Sequence, residues 1–103
     1  MDVPYDHGPA VAIAQVRAAE RSAWKAQCGT ARCAEMPFRA VTVVGRYALV
    51  DWADENTGGQ SLLREDAGRW HRIAHGGGAM DAAYAQTFGV PRAIAVKLFV
   101  HEQ

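Results

Sequence analysis

The chain has no excess charge of one sign, few large aliphatic residues and no long apolar run. Its 103 residues carry 11 basic and 11 acidic side chains, so the formal net charge is zero. Nucleic-acid-binding domains usually carry a basic excess, which argues against that class of partner. No stretch approaches about 18 uninterrupted apolar residues, so we expect no membrane span. A disordered chain would combine higher charge with less apolar content, and we therefore expect a globular domain.

Large apolar side chains are also scarce. Hydrophobic residues make up 50% of the chain, but 20 of them are alanine, and leucine, isoleucine, valine and phenylalanine together number only 20. The hydrophobic core is therefore expected to be small. A domain of this length buries roughly 60–70% of the surface that its unfolded chain exposes, so it folds with little reserve. We predict a single domain over residues 1–103, because no linker is long enough to divide it.

Only two cysteines occur, in the sequence Cys28-Gly-Thr-Ala-Arg-Cys33. A structural metal site would need further ligands, and a redox motif would prefer two intervening residues to the four present. We therefore favour a disulfide, which would stabilise the fold by about 2 kcal/mol in the chain-entropy description. It predicts an oxidising compartment, the periplasm or the cell exterior. The alternative is two reduced, partly buried thiols in a cytosolic protein.

The first residues do not look like a secretory leader. Met1 is followed by Asp2, Pro4 and Asp6, without a basic start and an apolar run. If the protein is exported, we expect its leader to be missing from this sequence and Met1 to be a non-native start. Residues 1–8 are polar and predict a loose lead-in to the fold.

Hydrophobic periodicity predicts a helix followed by strands. Over residues 9–28 apolar residues recur every three or four positions, and Pro9 suits a first helical turn. Residues 38–52 are rich in β-branched and aromatic side chains and predict one long strand. Both of its faces are apolar, so we expect this strand to be central in the sheet. Residues 60–65 and 70–75 predict two shorter strands around a tight turn at Gly68.

The last third of the chain predicts helices. Gly76, Gly77 and Gly78 end an antiparallel meander over residues 38–75, and residues 79–101 follow as one or two helices. Residues 92–101 fit a strand as well as a helix, but a proline directly before them favours the helix. The predicted architecture is α+β: an N-terminal helix packed on a three- to four-stranded antiparallel sheet, followed by one or two C-terminal helices.

A set of spaced motifs runs through residues 47–100. They read Tyr-Ala-Leu-x-x-Trp at 47–52, Gly-Gly-Gln-x-Leu-Leu at 58–63, Gly-x-Trp at 68–70, Gly-Gly-Gly at 76–78 and Gly-Val-Pro at 89–91. This pattern resembles a group of uncharacterised small secreted bacterial proteins, and it implies a fold and an exported location but no activity. The helix and sheet also loosely resemble cystatin-like and NTF2-like domains.

One candidate binding surface is a carboxylate-rich turn around an aromatic residue: Asp51, Trp52, Asp54 and Glu55. An exposed tryptophan of this kind anchors many protein interfaces, whereas packing of Trp52 against Trp70 across the sheet is the alternative. The oxygen-rich turn is more typical of a solvated loop than of a calcium site. We predict that this turn and the neighbouring glycine run form the binding surface.

The glycine run and two aromatic strand positions suggest further sites. Gly76, Gly77 and Gly78 have the backbone freedom to cradle an anion, or they form a tight strand-to-helix connection. An alternative ligand pocket between helix and sheet would be lined by Tyr47, Trp70 and His71.

Metal binding and catalysis receive little support from the sequence. His71 and His75 are four apart on a predicted strand, about 13 Å from each other, so they cannot share one ion. Nothing in the sequence brings His7 and His101 to them. Ser22 and Ser61 lack a nucleophile turn, and no pair of carboxylates can be inferred. We predict no cofactor, no metal and no catalysis.

These observations favour a non-catalytic periplasmic or secreted protein that binds another protein, as inhibitors, immunity proteins and envelope accessory proteins do. The alternative is an NTF2-like domain or enzyme with a small-ligand pocket between helix and sheet. A ligand domain needs a concave pocket with convergent polar groups. A protein binder exposes an apolar patch with a polar rim.

Overall fold

Residues 5–102 are described by a computed structural model of the α+β class, as predicted. Helices α1 (Ala10–Gln27) and α2 (Ala31–Ala34) precede four strands, and helices α3 (Ala82–Gln86) and α4 (Arg92–Phe99) follow them. The strands are β1 (Phe38–Val44), β2 (Tyr47–Ala53), β3 (Gly58–Asp66) and β4 (Arg69–Gly77). The described chain ends in a 3₁₀ turn, Val100–Glu102. No helix among these residues has the length and apolarity needed to cross a bilayer.

The four strands form one antiparallel sheet in the order β1-β2-β3-β4. The prediction of one long strand over residues 38–52 is wrong, because the chain reverses at Gly45 and Arg46 and Val44 pairs with Tyr47. Gly45 takes a φ of +59°, which a glycine adopts at little cost. β-Branched composition is the same for one long strand and for a hairpin, so propensity alone does not reveal this turn.

The β3–β4 hairpin confirms the predicted turn at Gly68. Ala67 and Gly68 both have positive φ, +51° and +79°, as a two-residue turn matching the twist of the strands requires. Both strands are longer than predicted, and Gly59 still pairs with Gly77. The meander therefore extends two residues beyond the expected end at residue 75.

Helices cover both faces of the sheet, which makes three layers. On one face α1 packs Val16 against a cluster from three strands: Val41, Val43, Ala48, Val50 and Leu63. On the other face α3 and α4 cover a second cluster: Leu49, Leu62, Ala74, Ala85, Val90, Ala95, Leu98 and Phe99. Alternate residues of β2 thus enter different cores, which explains why both faces of this segment are apolar.

The C-terminal segment is helical, as the proline before it predicted, with α4 beginning directly after Pro91. Asp6 and His7 are not part of a loose N-terminal segment, contrary to the prediction for residues 1–8. The His7 N–H donates to the Val41 carbonyl at 2.9 Å, and the His7 carbonyl accepts from the Val43 N–H at 2.8 Å. These bonds satisfy backbone groups on the outer edge of β1, and unpaired edge groups would otherwise invite further strands. Residues 1–4 lie outside the described part of the chain.

A disulfide between Cys28 and Cys33 joins the end of α1 to α2, as predicted. The connection is also held by Arg21, whose guanidinium donates to the carbonyls of Ala34 at 2.6 Å and Met36 at 2.8 Å. The same guanidinium lies over the ring of Phe38, 4.1 Å from its centroid. Two independent attachments therefore fix this end of the molecule.

Candidate functional site

Trp52 is buried, with 5% of its surface exposed, so it is not the exposed anchor that the sequence suggested. Its partner is not Trp70. The ring meets Trp24 edge-on with centroids 4.9 Å apart and stacks on His75 at 5.1 Å. Its indole N–H donates to Ser61 Oγ at 3.2 Å. Trp70 instead lies farther along the sheet and packs near Val16 in the α1-side core.

The rings of Trp24 and Trp52 lie in the floor of a groove of about 400 Å³, here called the tryptophan groove. The floor is apolar and consists of Trp24, Cys33, Met36 and Trp52. The rim is polar and consists of Thr30, Arg32, Asp54 and Thr57. Arg32 pairs with Glu55 at 2.6 Å, and both side chains are well exposed. An apolar floor within a polar rim can accept an apolar side chain.

Asp54 stabilises the turn that forms part of the groove rim. Its Oδ1 accepts the backbone N–H of Asn56 at 2.8 Å and of Thr57 at 2.9 Å. These two backbone hydrogen bonds, helped by the charge of Arg32, hold the pKa of the Asp54 carboxyl below its usual value. The carboxylate stays ionised and keeps the β2–β3 turn in one shape. The turn is a solvated loop with a fixed edge, as its composition indicated.

A polar network supports the groove from below. Glu20 is fully buried and accepts from Trp24 Nε1 at 3.2 Å and from Arg72 Nε at 2.9 Å. His75 Nδ1 lies 2.9 Å from Ser61 Oγ. Partial burial, and then the charge of Arg72, lower the pKa of His75. This serine–histidine contact does not make a nucleophile, because Ser61 is fully buried and no substrate reaches its oxygen.

The glycine run is not arranged for an anion. Gly77 pairs with Gly59 within the sheet, and the Gly78 N–H donates to the Gly58 carbonyl at 3.0 Å. The following helix α3 has only five residues, and the carboxylate of Asp81 already caps it. The run therefore forms the strand-to-helix connection, and its geometry does not favour the anion-binding interpretation. Gly76 and Gly77 also line a depression of about 260 Å³ together with Ala79, Met80, Asp81 and Tyr84.

The alternative pocket between helix and sheet does not form, because its three residues do not converge. The Tyr47 hydroxyl donates to the Gly89 carbonyl at 3.4 Å, on the α4 side of the sheet. Trp70 bonds to Gln15 of α1 on the opposite side, and His71 pairs with Asp66 at 2.8 Å. The space between α1 and the sheet is filled by the valine and leucine cluster. Within residues 5–102, no group of three or more histidine, cysteine or acidic side chains is placed to hold a metal ion.

A pair of carboxyl groups, Asp51 and Glu102, is the main feature that sequence reasoning missed. Gln60 Nε2 donates to Asp51 Oδ1 at 2.6 Å and to Glu102 Oε1 at 2.5 Å. Partial burial and then the neighbouring Asp51 raise the pKa of Glu102 to about 7. The only sequence signal is that Asp51 shares a strand face with Leu49, where an apolar side chain would be expected.

The carboxyl pair borders a depression of about 250 Å³ at which the two ends of the described chain meet. The rings of His7 and His101 stack there with centroids 3.5 Å apart and planes 9° apart. Arg39 and Thr42 of β1 complete the wall. No sequence pattern predicts that these two histidines meet, since they lie at opposite ends of the chain.

No family model, no curated protein and no solved structure matches this chain. Its function is therefore inferred from its own residues. The tryptophan groove combines a volume of about 400 Å³ with an apolar floor. The carboxyl pair combines titratable groups from distant parts of the chain. The first arrangement suits recognition by shape, and the second suits a response to protons.

Proposed function

We propose that this protein is a non-catalytic binding protein of the periplasm or cell exterior, and that its tryptophan groove receives an apolar side chain of a partner protein. The observation that carries the proposal is the groove itself, about 400 Å³ in volume with Trp24, Met36 and Trp52 in its floor. Interfaces concentrate their binding energy in such places, where an aromatic floor is surrounded by polar groups that exclude water.

Charge at the groove is consistent with a protein partner. The Arg32–Glu55 pair at the mouth is exposed on both sides, with 68% and 77% of the side chains accessible. Exposed pairs of this kind stabilise a fold by only about 0–1 kcal/mol, so either side chain is free to exchange its partner for a charge on another protein. A net charge of zero removes long-range steering and leaves recognition to shape and local charges.

The location outside the cytoplasm is supported by the disulfide between Cys28 and Cys33. Such bonds persist in oxidising compartments and are rare in the cytosol. Cys33 also lies in the groove floor, so the same bond helps to hold that floor in place. The resemblance of the Tyr-Ala-Leu-x-x-Trp and Gly-Gly-Gln-x-Leu-Leu motifs to small secreted bacterial proteins points the same way.

The alternative, a small-ligand domain or enzyme of NTF2-like type, receives less support. Its pocket would lie between α1 and the sheet, where Val16, Val41 and Leu63 are in contact and fully buried. Ligand sites need a cavity with convergent polar groups, and this space is closely packed.

A groove-filling variant tests the proposal. Thr57→Trp places a large ring on the rim, whereas Asn56→Trp places the same ring one residue away, outside the groove lining. Both positions are exposed, so both variants should fold, which circular dichroism verifies. Partners are captured from an envelope extract of the source organism, identified, purified and titrated against each variant.

We expect a partner that binds the unmodified chain and Asn56→Trp with similar Kd, and that binds Thr57→Trp at least about tenfold more weakly, a loss of about 1.4 kcal/mol. Equal Kd values for both tryptophan variants would refute the groove as the binding surface. If a small molecule, and not an apolar side chain of the partner, occupies the groove and competes with the partner for it, the alternative function would be favoured.

A further inference from the structure

One buried amide holds two acidic side chains at the C-terminal end of the fold. Gln60 is only 4% exposed. Its carbonyl oxygen accepts the backbone N–H of Met80, which can only donate, so the amide nitrogen must face the carboxyl groups. Two oxygens bonded to one nitrogen lie no more than about 5 Å apart at these distances. Asp51 and Glu102 are therefore held close together by an orientation that cannot flip.

Two ionised carboxylates at this separation repel each other, and the usual solution is that one of them keeps a proton. Gln60 supplies two donors, one for each carboxyl group, and a proton shared by the pair would add a hydrogen bond between the two carboxyl groups. With that proton present, each carboxyl group has a hydrogen-bond partner and only one of the two carries a negative charge. Without it, two negative charges face each other at a partly covered site.

Glu102 also lies at a junction. It borders the depression that contains His7 and His101, and it borders a second depression of about 300 Å³ that contains Met80, Val96 and Phe99. The 3₁₀ turn that carries Glu102 therefore separates two concave surfaces. If this turn moved away from the sheet, the two depressions would join, the stacked histidine rings would separate and Gln60 would be exposed.

We propose that Asp51 and Glu102 share one proton, and that loss of this proton releases the C-terminal 3₁₀ turn from the sheet. The device is a pH-sensitive latch that is independent of the tryptophan groove, which lies on the α1 side of the sheet. In the closed form, Glu102 keeps the two depressions apart. The open form exposes a polar cleft with an amide at its base.

Several other charged or titratable groups face Glu102 from the elements packed around it: Tyr5, His7, Arg39, Asp51, Asp81 and His101. Asp51 favours a protonated Glu102, and the hydrogen bond from Gln60 opposes it. Asp51 is the charged neighbour that raises the pKa of Glu102, because Gln60 holds the two carboxyl groups together. Among the described residues, Arg39 makes no ion pair with either carboxylate.

The direction of the pH response follows from linkage. The pKa of Glu102 in the closed form is raised from 4.5 to about 7, so the closed form binds more protons than the released form between these values. Closure is fully favoured below pH 4.5 and is lost as the pH rises to about 7. A pKa that differs by about 1 between the two forms changes their equilibrium constant about tenfold. The pKa values of 4.5 and about 7 would by themselves lower the equilibrium constant for closure about 70-fold between pH 5 and pH 8. Because Glu102 is largely exposed, solvent screening weakens this effect, and we expect a fall of at least about tenfold.

Nuclear magnetic resonance of the isotopically labelled chain tests the latch. The side-chain carboxyl shifts of Glu102 and Asp51 report their titration, and cross-relaxation between the His7 and His101 rings reports closure. The variant Glu102→Gln keeps a neutral donor toward Asp51 at all pH values. Glu65→Gln removes one acidic group from the sheet outside the pair and serves as the control.

We expect Glu102 to titrate near pH 7 and the ring contact to weaken over the same range in the unmodified chain and in Glu65→Gln. In Glu102→Gln the contact should stay constant from pH 6 to pH 8, which would show that its change in the unmodified chain depends on the Glu102 carboxyl group. In Asp51→Asn the Glu102 midpoint should move down toward ordinary values. Titration of Glu102 near pH 4.5 in the unmodified chain, or loss of the ring contact in Glu102→Gln over the same range, would overturn the proposal.

Discussion

Replacement of Gly59 by alanine should destabilise the fold strongly, because the position has no room for a methyl group. A Cβ there would lie 2.2 Å from the Gly76 carbonyl oxygen and 2.4 Å from the Trp52 ring. Neither neighbour moves easily: the first is backbone of the paired strand β4, and the second is a buried indole wedged against Trp24. Gly59 is therefore required for the floor of the tryptophan groove to form.

The size of the effect follows from these contacts. Overpacking a buried site typically costs about 1–3 kcal/mol, and two rigid contacts below 3 Å place Gly59→Ala at the upper end, about 3 kcal/mol. Domains of this size have only about 5–15 kcal/mol of stability in total. Each lost kilocalorie lowers Tm by roughly 4–8 °C, so a fall of about 15 °C is expected.

Two neighbouring glycines provide matched controls in the same sheet. A Cβ at Gly58 would meet Ala53 Cβ at 3.4 Å, which is ordinary contact, and a Cβ at Gly76 would meet nothing within 4 Å. Urea unfolding followed by far-ultraviolet circular dichroism gives the free energy of unfolding for all three alanine variants. Equal losses in Gly59→Ala and Gly58→Ala would refute the steric reasoning.

Three further predictions concern the same end of the molecule. Replacing Cys28 and Cys33 by serine should lower the free energy of unfolding by about 2 kcal/mol in urea, and mass spectrometry of protein from native cells should find no free thiols. Arg72→Leu should lower the free energy of unfolding by about 3–5 kcal/mol, because it leaves the buried carboxylate of Glu20 without its ion pair. The double variant Arg72→Leu with Glu20→Gln should recover part of this loss. If it recovers none, the proposed role of the ion pair is contradicted. Because the pKa of His75 is lowered in the fold, the unfolded chain binds more protons than the folded chain below about pH 6.5. The free energy of unfolding should therefore fall as the pH is lowered from 6.5 to 5. In urea titrations at these two pH values, His75→Gln should show a weaker pH dependence.

Local sequence patterns predicted most of the secondary structure. Helix α1 follows from apolar spacing, the β3–β4 turn from Gly68, and helix α4 from Pro91, and each depends on neighbours within a few residues. The disulfide could also be predicted from the sequence, because only five positions separate its cysteines. The β1–β2 hairpin was missed, since valine-rich composition is the same on both sides of Gly45 and gives no sign of a reversal.

The candidate sites depended on register and could not be predicted in the same way. Asp51 and Trp52 are adjacent in sequence, yet alternation along β2 sends one to the carboxyl pair and the other to the tryptophan groove. Grouping them in one surface was therefore wrong for a physical reason. Their hydrogen-bond partners on β3, Gln60 and Ser61, are also adjacent in sequence and point to opposite faces of the sheet for the same reason.

The sequence by itself determined the small core, the balance of charge, the order of most helices and strands and the cysteine pair. Only the tertiary structure decided which side chains meet: Trp24 with Trp52, Glu102 with Asp51, and His7 with His101. The reason is the range of the interactions. Propensity and turn chemistry act over a few residues, whereas burial of both sheet faces fixes contacts between residues that are tens of positions apart.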